Sequence, residues 1–162
     1  MTGPVTPRLS PWHPAHLLAT WFGVGLLPKA PGTWGSLAAL PFAWIIQTTW
    51  GPWGLLAATA VVGLAGWWAA ARYVAQSSDA DPGSVVIDEV AGQWLTLVVA
   101  PTSLWAYALG FALFRLADIV KPWPASWADR DLKGGLGVMV DDGIAGVYAG
   151  AVLLIVVEVC AK

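Results

Sequence analysis

Asp88 and Glu89 stand side by side in GSVVIDEVAGQWLTLVVAP, residues 83–101, where the chain turns apolar. No charged residue follows them from Val90 to Phe114. The next acid, Asp118 in FALFRLADIVKPWP, lies three residues from both Arg115 and Lys121. A further pair, Asp141 and Asp142, opens the apolar run DDGIAGVYAGAVLLIVV. A carboxylate in a membrane segment costs about 2.5–3.5 kcal/mol on insertion scales, and marks function by default. Several acids converging on one place repel one another unless something positive sits among them. Hard oxygen ligands without His or Cys suit Mg²⁺ or a similar cation. Arg115, Lys121 and Arg130 flank these acids, and metal-bridged carboxylates beside cations are an arrangement for phosphoryl chemistry.

Each acid also has a plainer reading. Asp88 and Glu89 could cap a helix, favoured by its N-terminal dipole. Neighbouring helical positions point about 100° apart, however, so one of the two faces lipid unless a partner covers it. Gly92, one turn on, leaves room for such a partner or for a ligand. Asp118 could be a simple ion pair with Arg115 or Lys121. Asp141 or Asp142 could cap the last helix, although two acids exceed what a cap requires. Asp79 and Asp81, beside Pro82-Gly83, read as turn residues.

Other motifs carry less. APGTWGS, residues 30–36, brackets Thr33 and Ser36 with glycines at a helix start, where backbone N–H groups can meet an anion. Ordinary capping explains the same residues. KGGLG, residues 133–137, lacks the terminal GK[ST] of a phosphate-binding loop and reads as a flexible turn. His13 and His16 read as interfacial histidines rather than ligands. Cys160, the single cysteine, excludes a disulfide framework and has no basic neighbour to activate it.

The elements that must position these groups are apolar. Hydrophobic residues make up 57% of the 162 and charged residues 11%, against about 25% charge in typical soluble domains. Residues 30–71 carry no charged side chain, and twelve Trp suit a membrane–water boundary. The net charge of −2 leaves no footprint for nucleic acid. The pattern predicts an all-α polytopic membrane protein, a single membrane-embedded domain over 1–162 with residues 1–12 flexible. Its expected helices are 35–50, 53–75, 88–100, 103–120 and 142–160, joined in hairpins, after an interfacial helix over about 15–27. WGPWG at 50–54 and Pro101 supply the turns. The arms of the 88–118 hairpin run roughly 20 and 24 Å, which returns Asp118 to the side of Asp88. Lys29, Arg72, Arg115, Lys121, Arg130 and Lys133 then crowd one face, cytoplasmic by the positive-inside rule, with Glu158 and Lys162 opposite. Gly146 and Gly150 give a GxxxG spacing, a weak signal of close helix approach in so Gly-rich a chain.

Four blocks resemble the phosphatidylglycerophosphatase A family, integral membrane lipid phosphatases of bacteria. They are GLLPKAPGTWGSLAALP, IDEVAGQW, FRLADIVKPWPASWADR and GGLGVMVDDGIAG, and together they span most of residues 16–150. The resemblance implies Mg²⁺-dependent removal of the terminal phosphate of phosphatidylglycerophosphate, a phospholipid held in the bilayer of the bacterial cytoplasmic (inner) membrane. It implies acidic metal positions at Asp88, Glu89, Asp118, Asp141 and Asp142. It also implies substrate-pocket positions at Arg115, Lys121, Asp129 and Arg130, which Thr33 and Ser36 of the first block extend. Glu89 or Asp142 would take the proton from water, and Lys121, Arg115 or Arg130 would stabilise the transferring phosphoryl group. A transporter or channel, a CDP-alcohol phosphotransferase and a non-catalytic membrane scaffold are the rival readings. The charges cluster at one end without an internal repeat, unlike many transporters, and the phosphotransferase pattern DG-x2-AR is absent. Oligomeric state is not written in the sequence.

Overall fold

A computed structural model describes residues 9–77, 82–132 and 134–160. Asp79, Asp81, Lys133, Lys162 and residues 1–8 lie outside them. Among the described residues the chain is helical throughout and has no strand. The order is α1 (Pro14–Ala19), a 3-10 turn (Val24–Leu26), α2 (Pro31–Val74), α3 (Ile87–Leu97), α4 (Leu104–Val120), α5 (Ala125–Asp131) and α6 (Gly134–Cys160). Two helices, α2 and α6, are long and apolar enough to cross a membrane.

α2 is two arms. Gly51 has φ 67 and ψ −172, a backbone that side chains rarely tolerate, and Pro52 follows it. The chain folds back there, which contacts on both sides of the turn establish. A Cβ on Gly35 would sit 2.8 Å from Val86, and one on Gly66 would sit 2.9 Å from Ile87. A straight helix would hold those two glycines roughly 46 Å apart. The hairpin expected from WGPWG is therefore present.

The second hairpin turns at 98–103, around Pro101. Buried Gln47, on the first arm of α2, donates from Nε2 to Leu97 O (3.2 Å) and Ala100 O (2.9 Å). Tyr107 of α4 donates its hydroxyl to Gln47 Oε1 at 2.6 Å. One amide thus satisfies Ala100 O, adds a second donor to Leu97 O beside Ala100 N, and ties the turn to α2. Farther along, the indole of Trp94 donates to Ala39 O at 2.9 Å.

α6 crosses α3 at glycines. A Cβ on Gly146 would lie 2.6 Å from Gly92 O, and one on Gly92 would lie 2.7 Å from Asp142 O and 2.5 Å from Phe114. The space beside Gly92 is therefore filled by α6 and by the Phe114 ring of α4, not by a ligand. Thr96 donates to Gly92 O (3.0 Å) and Gly146 O (3.2 Å) across the same seam.

Three boundaries differ from those expected. The stretch between the expected helices 103–120 and 142–160 is not bare connection: it holds α5 and the first turns of α6. KGGLG is not a free turn, because Gly134 (φ 69) starts α6 and Gly135 packs against Ala71. The early segment forms the six-residue α1 and the 3-10 turn rather than one helix over 15–27. His13 caps α1, its Nδ1 accepting from Ala15 N at 3.1 Å. These starts escape a periodicity reading because α6 opens in glycine, the residue least favourable to a helix after proline.

Candidate active site

The helix ends meet around a cavity of about 340 Å³. α3 brings Asp88 and Glu89 to it, α4 brings Arg115 and Asp118, and α6 brings Asp141 and Asp142. Lys121 and Asp129 reach it from the connection and from α5, and Ala30–Gly32 close it at the start of α2. Asp88 and Asp118, thirty residues apart in sequence, line the same space. One carboxylate oxygen from each of Asp88, Glu89 and Asp142 lies within 4.8 Å of the others.

The cations are tied down by part of this set. Arg115 Nη1 sits 2.6 Å from Asp118 Oδ2 and 3.8 Å from Glu89 Oε1. Lys121 takes αL geometry (φ 46) at the end of α4, which aims its ammonium back at the acids. It bonds Asp141 Oδ2 at 2.6 Å and also pairs with Asp129. Burial works against the charge on Lys121, but the bonds and charges of Asp129 and Asp141 outweigh it and raise the lysine's pKa. It is an ammonium at any physiological pH.

Four further carboxylate oxygens are not satisfied. Asp88 Oδ1, Glu89 Oε2, Asp141 Oδ1 and Asp142 Oδ2 are buried without a hydrogen-bond partner among the described residues, as is Arg115 Nε. Buried polar atoms are rarely left so, because each costs about 1–3 kcal/mol, and more when charged. Clustered anionic oxygens in a desolvated pocket are the donor set of a hard divalent cation, and the residues fit one.

The plainer readings of the acids fare unequally. Asp141 and Asp142 do not cap a helix, since α6 begins at Gly134 and both lie two turns inside it. Asp88 and Glu89 occupy the first turn of α3, whose N-cap Val86 makes no side-chain cap. Asp118 does pair with Arg115, and the pair faces the cavity.

Three other residues of the expected site do not line it. Arg130 is exposed on α5. Thr33 lies within the first turn of α2 but outside the cavity wall. Ser36 is fully buried one layer back, donating to Gly32 O at 2.9 Å and accepting from Arg115 Nη1 at 3.4 Å. Neither Thr33 nor Ser36 caps α2, whose N-cap is Ala30 in αL geometry without a side-chain bond. Gly32 matters in a way its motif did not disclose, because a Cβ there would collide with the Glu89 carboxylate.

Fold and site together define an all-helical protein with an acidic, cation-edged pocket at one end of apolar helices. The family model for Phosphatidylglycerophosphatase A matches residues 17–157. Phosphatidylglycerophosphatase A of Escherichia coli K12 is 44% identical over 148 residues, which cover 90% of this chain and 85% of that protein. Phosphatidylglycerophosphatase A of Haemophilus influenzae Rd is 41% identical over 143 residues, covering 88% of each chain. No solved structure matches the chain. The chain belongs to the phosphatidylglycerophosphatase A family.

Proposed function

We propose that the chain is a membrane-embedded lipid phosphatase that hydrolyses the terminal phosphate monoester of phosphatidylglycerophosphate and leaves phosphatidylglycerol. Family membership supports the substrate, and the cluster of unpartnered carboxylate oxygens facing Arg115 and Lys121 carries the mechanism. Mg²⁺ would be held by Asp88, Glu89 and Asp142, with Asp141 and Asp118 beside them, and when bound supplies Lewis-acid charge for the phosphate oxygens and the attacking water.

The protein's own groups do the rest. Arg115 and Lys121 donate to the non-bridging phosphoryl oxygens and offset the charge that builds there. Asp118 and Ser36 hold the Arg115 fork in place, and Asp129 and Asp141 hold the Lys121 ammonium. Of Glu89 and Asp142, the one left with a carboxylate oxygen free of the cation takes the proton of the attacking water and returns it to the departing alkoxide oxygen of the lipid headgroup. The headgroup enters while the acyl chains stay in lipid.

The whole chain acts as one multi-pass domain of the bacterial inner membrane, with both arms of α2 and α6 crossing and the α3–α4 hairpin embedded among them. Each arm of α2 is about 30 Å long, the thickness of the hydrocarbon core. Exposed Trp50, Trp53 and Trp105 mark the far turns, and exposed Trp12, Trp123 and Trp127 mark the cavity end, as two interfacial belts require. All five described basic residues, Lys29, Arg72, Arg115, Lys121 and Arg130, belong to the cavity end, and the positive-inside rule supports the reading that this end faces the cytoplasm.

Phosphate release from purified protein given several phospholipid monoesters, with and without Mg²⁺, tests the proposal. Release from phosphatidylglycerophosphate that requires Mg²⁺ is expected. Release from none of the lipids sinks the activity, and equal release with chelator sinks the metal.

A further inference from the structure

We propose that one diacyl phospholipid sits astride Tyr148, its two acyl chains in grooves on either side of the ring and its headgroup passing Lys121 into the acidic cavity. This rests on the lipid phosphatase reading above and gives it a substrate path. Two apolar grooves share Tyr148 as a wall. One, of about 260 Å³, runs between α4 and α6, with Leu116, Val120 and Pro122 facing Val152. The other, of about 560 Å³, lies on the opposite side of the ring against Leu95, Pro124, Met139 and Val147. A third hollow shares Leu95 and Val147 with the second and extends it to Leu154. From Met139 to Leu154 the path is about 22 Å along α6, room for a long alkyl chain.

Both grooves begin beneath the same short loop. Pro122 lines one and Pro124 the other, and the residue between them, Trp123, accepts a 2.9 Å bond from the Tyr148 hydroxyl. The residue before that loop is Lys121, whose ammonium stands in the cavity on Asp141. Asp141 and Tyr148 are seven apart and share one stripe of α6, about 10 Å from each other. A single-chained amphiphile fills one groove only. Two grooves that share a wall and are lined by Pro122 and Pro124, just after the cation Lys121, fit a two-chained lipid with an anionic head. The second groove is open at Gly143, where a Cβ would have nothing within 4 Å. A larger side chain can therefore be placed there without a clash.

The test is photo-crosslinking of purified protein with phosphatidylglycerophosphate carrying a diazirine in each acyl chain, with adducts located by mass spectrometry. Label is expected on 116–124 and 139–154 and is competed by unlabelled phosphatidylglycerophosphate. It should fall at least fivefold in Gly143→Leu and in Val152→Trp, and should hold in Leu64→Phe, which changes an exposed apolar position outside the grooves. Phosphatidylcholine bearing the same chains should label the apolar surface evenly. Even labelling by phosphatidylglycerophosphate across Ile45, Val61 and Leu64 overturns the proposal. So does label that neither groove variant reduces, or phosphatidylcholine concentrated in the same grooves. Because adducts form without turnover, a protein that labels as expected yet releases no phosphate refutes the activity and leaves the path standing.

Discussion

The glycine seam between α3 and α6 sets the spacing of the acids, so one methyl group should disable the enzyme. Asp142 lies one turn before Gly146 on α6, and Asp88 and Glu89 lie one turn before Gly92 on α3. In Gly146→Ala the new Cβ meets Gly92 O at 2.6 Å and Gly92 Cα at 3.2 Å, where ordinary contact begins at 3.4 Å. Both obstacles are backbone and cannot rotate away, so the helices must part by roughly 0.8 Å. Overpacking of this kind costs about 1–3 kcal/mol, and the fold should survive it. Catalysis is less forgiving, since a misplacement near 1 Å at a reacting centre costs about 10²-fold. Gly150→Ala is the built-in comparison. Its Cβ would meet Thr96 at 3.6 Å, ordinary contact, on the same face one turn later. Phosphate release from phosphatidylglycerophosphate in detergent micelles should fall about 10²-fold in Gly146→Ala and less than threefold in Gly150→Ala. Tryptophan fluorescence on heating shows that both remain folded. Equal activity in the two variants, or equal loss, would refute the seam as the device that spaces the acids.

Other outcomes follow from the same geometry. Asp88→Asn, Glu89→Gln and Asp142→Asn should each lower turnover at least 10²-fold at saturating Mg²⁺, and chelator should abolish wild-type release until Mg²⁺ is restored. Near-wild-type turnover in all three removes the site. Thr33→Ala and Arg130→Ala, away from the cavity, should stay within about threefold of wild type, whereas Ser36→Ala should lose roughly tenfold in kcat/KM through a loosened Arg115. Steady-state kinetics on the three variants decides, and a large loss at Arg130 would show that α5 closes on substrate. Lys121 has a raised pKa, so its ion-pair contribution to stability is complete below the unfolded lysine value of about 10.4 and vanishes only as pH rises through the higher folded value. The difference in unfolding midpoint between wild type and Lys121→Met should therefore be the same at pH 7 and pH 9. A gap that closes over that interval contradicts the pairing.

Much of the site was legible because acids are conspicuous in a chain with few charges. Pro101 and WGPWG break the apolar runs, and the two hairpins they imply bring Asp88 and Asp118 to one cavity. What escaped the sequence is three-dimensional packing. Gln47 looks like a stray polar residue in an apolar run until its amide is seen capping α3. Gly92 reads as room for a partner or a ligand, and α6 is the partner that takes it; Gly32 sits in a motif that reads as meeting an anion, yet it is the Glu89 carboxylate that presses against its backbone. Asp141 and Asp142 look like caps because GGLG hides the start of α6. Ser36 sits in a motif that suggests direct anion contact, but a four-residue helical spacing turns its hydroxyl inward, to Gly32 O and Arg115. Arg130 shares a block with Lys121 and Asp129, and the direction of α5 sends it out to solvent.

In the proposed mechanism, acids from α3 and α6 would grip one divalent cation beside Arg115 and Lys121. Mn²⁺, which takes the same oxygen ligands, makes this directly visible by electron paramagnetic resonance. Titration of the purified protein should show one Mn²⁺ bound per chain, displaced by Mg²⁺, and lost in each of Asp88→Asn, Glu89→Gln and Asp142→Asn. Binding that survives all three substitutions, or no binding in the wild type, would contradict it.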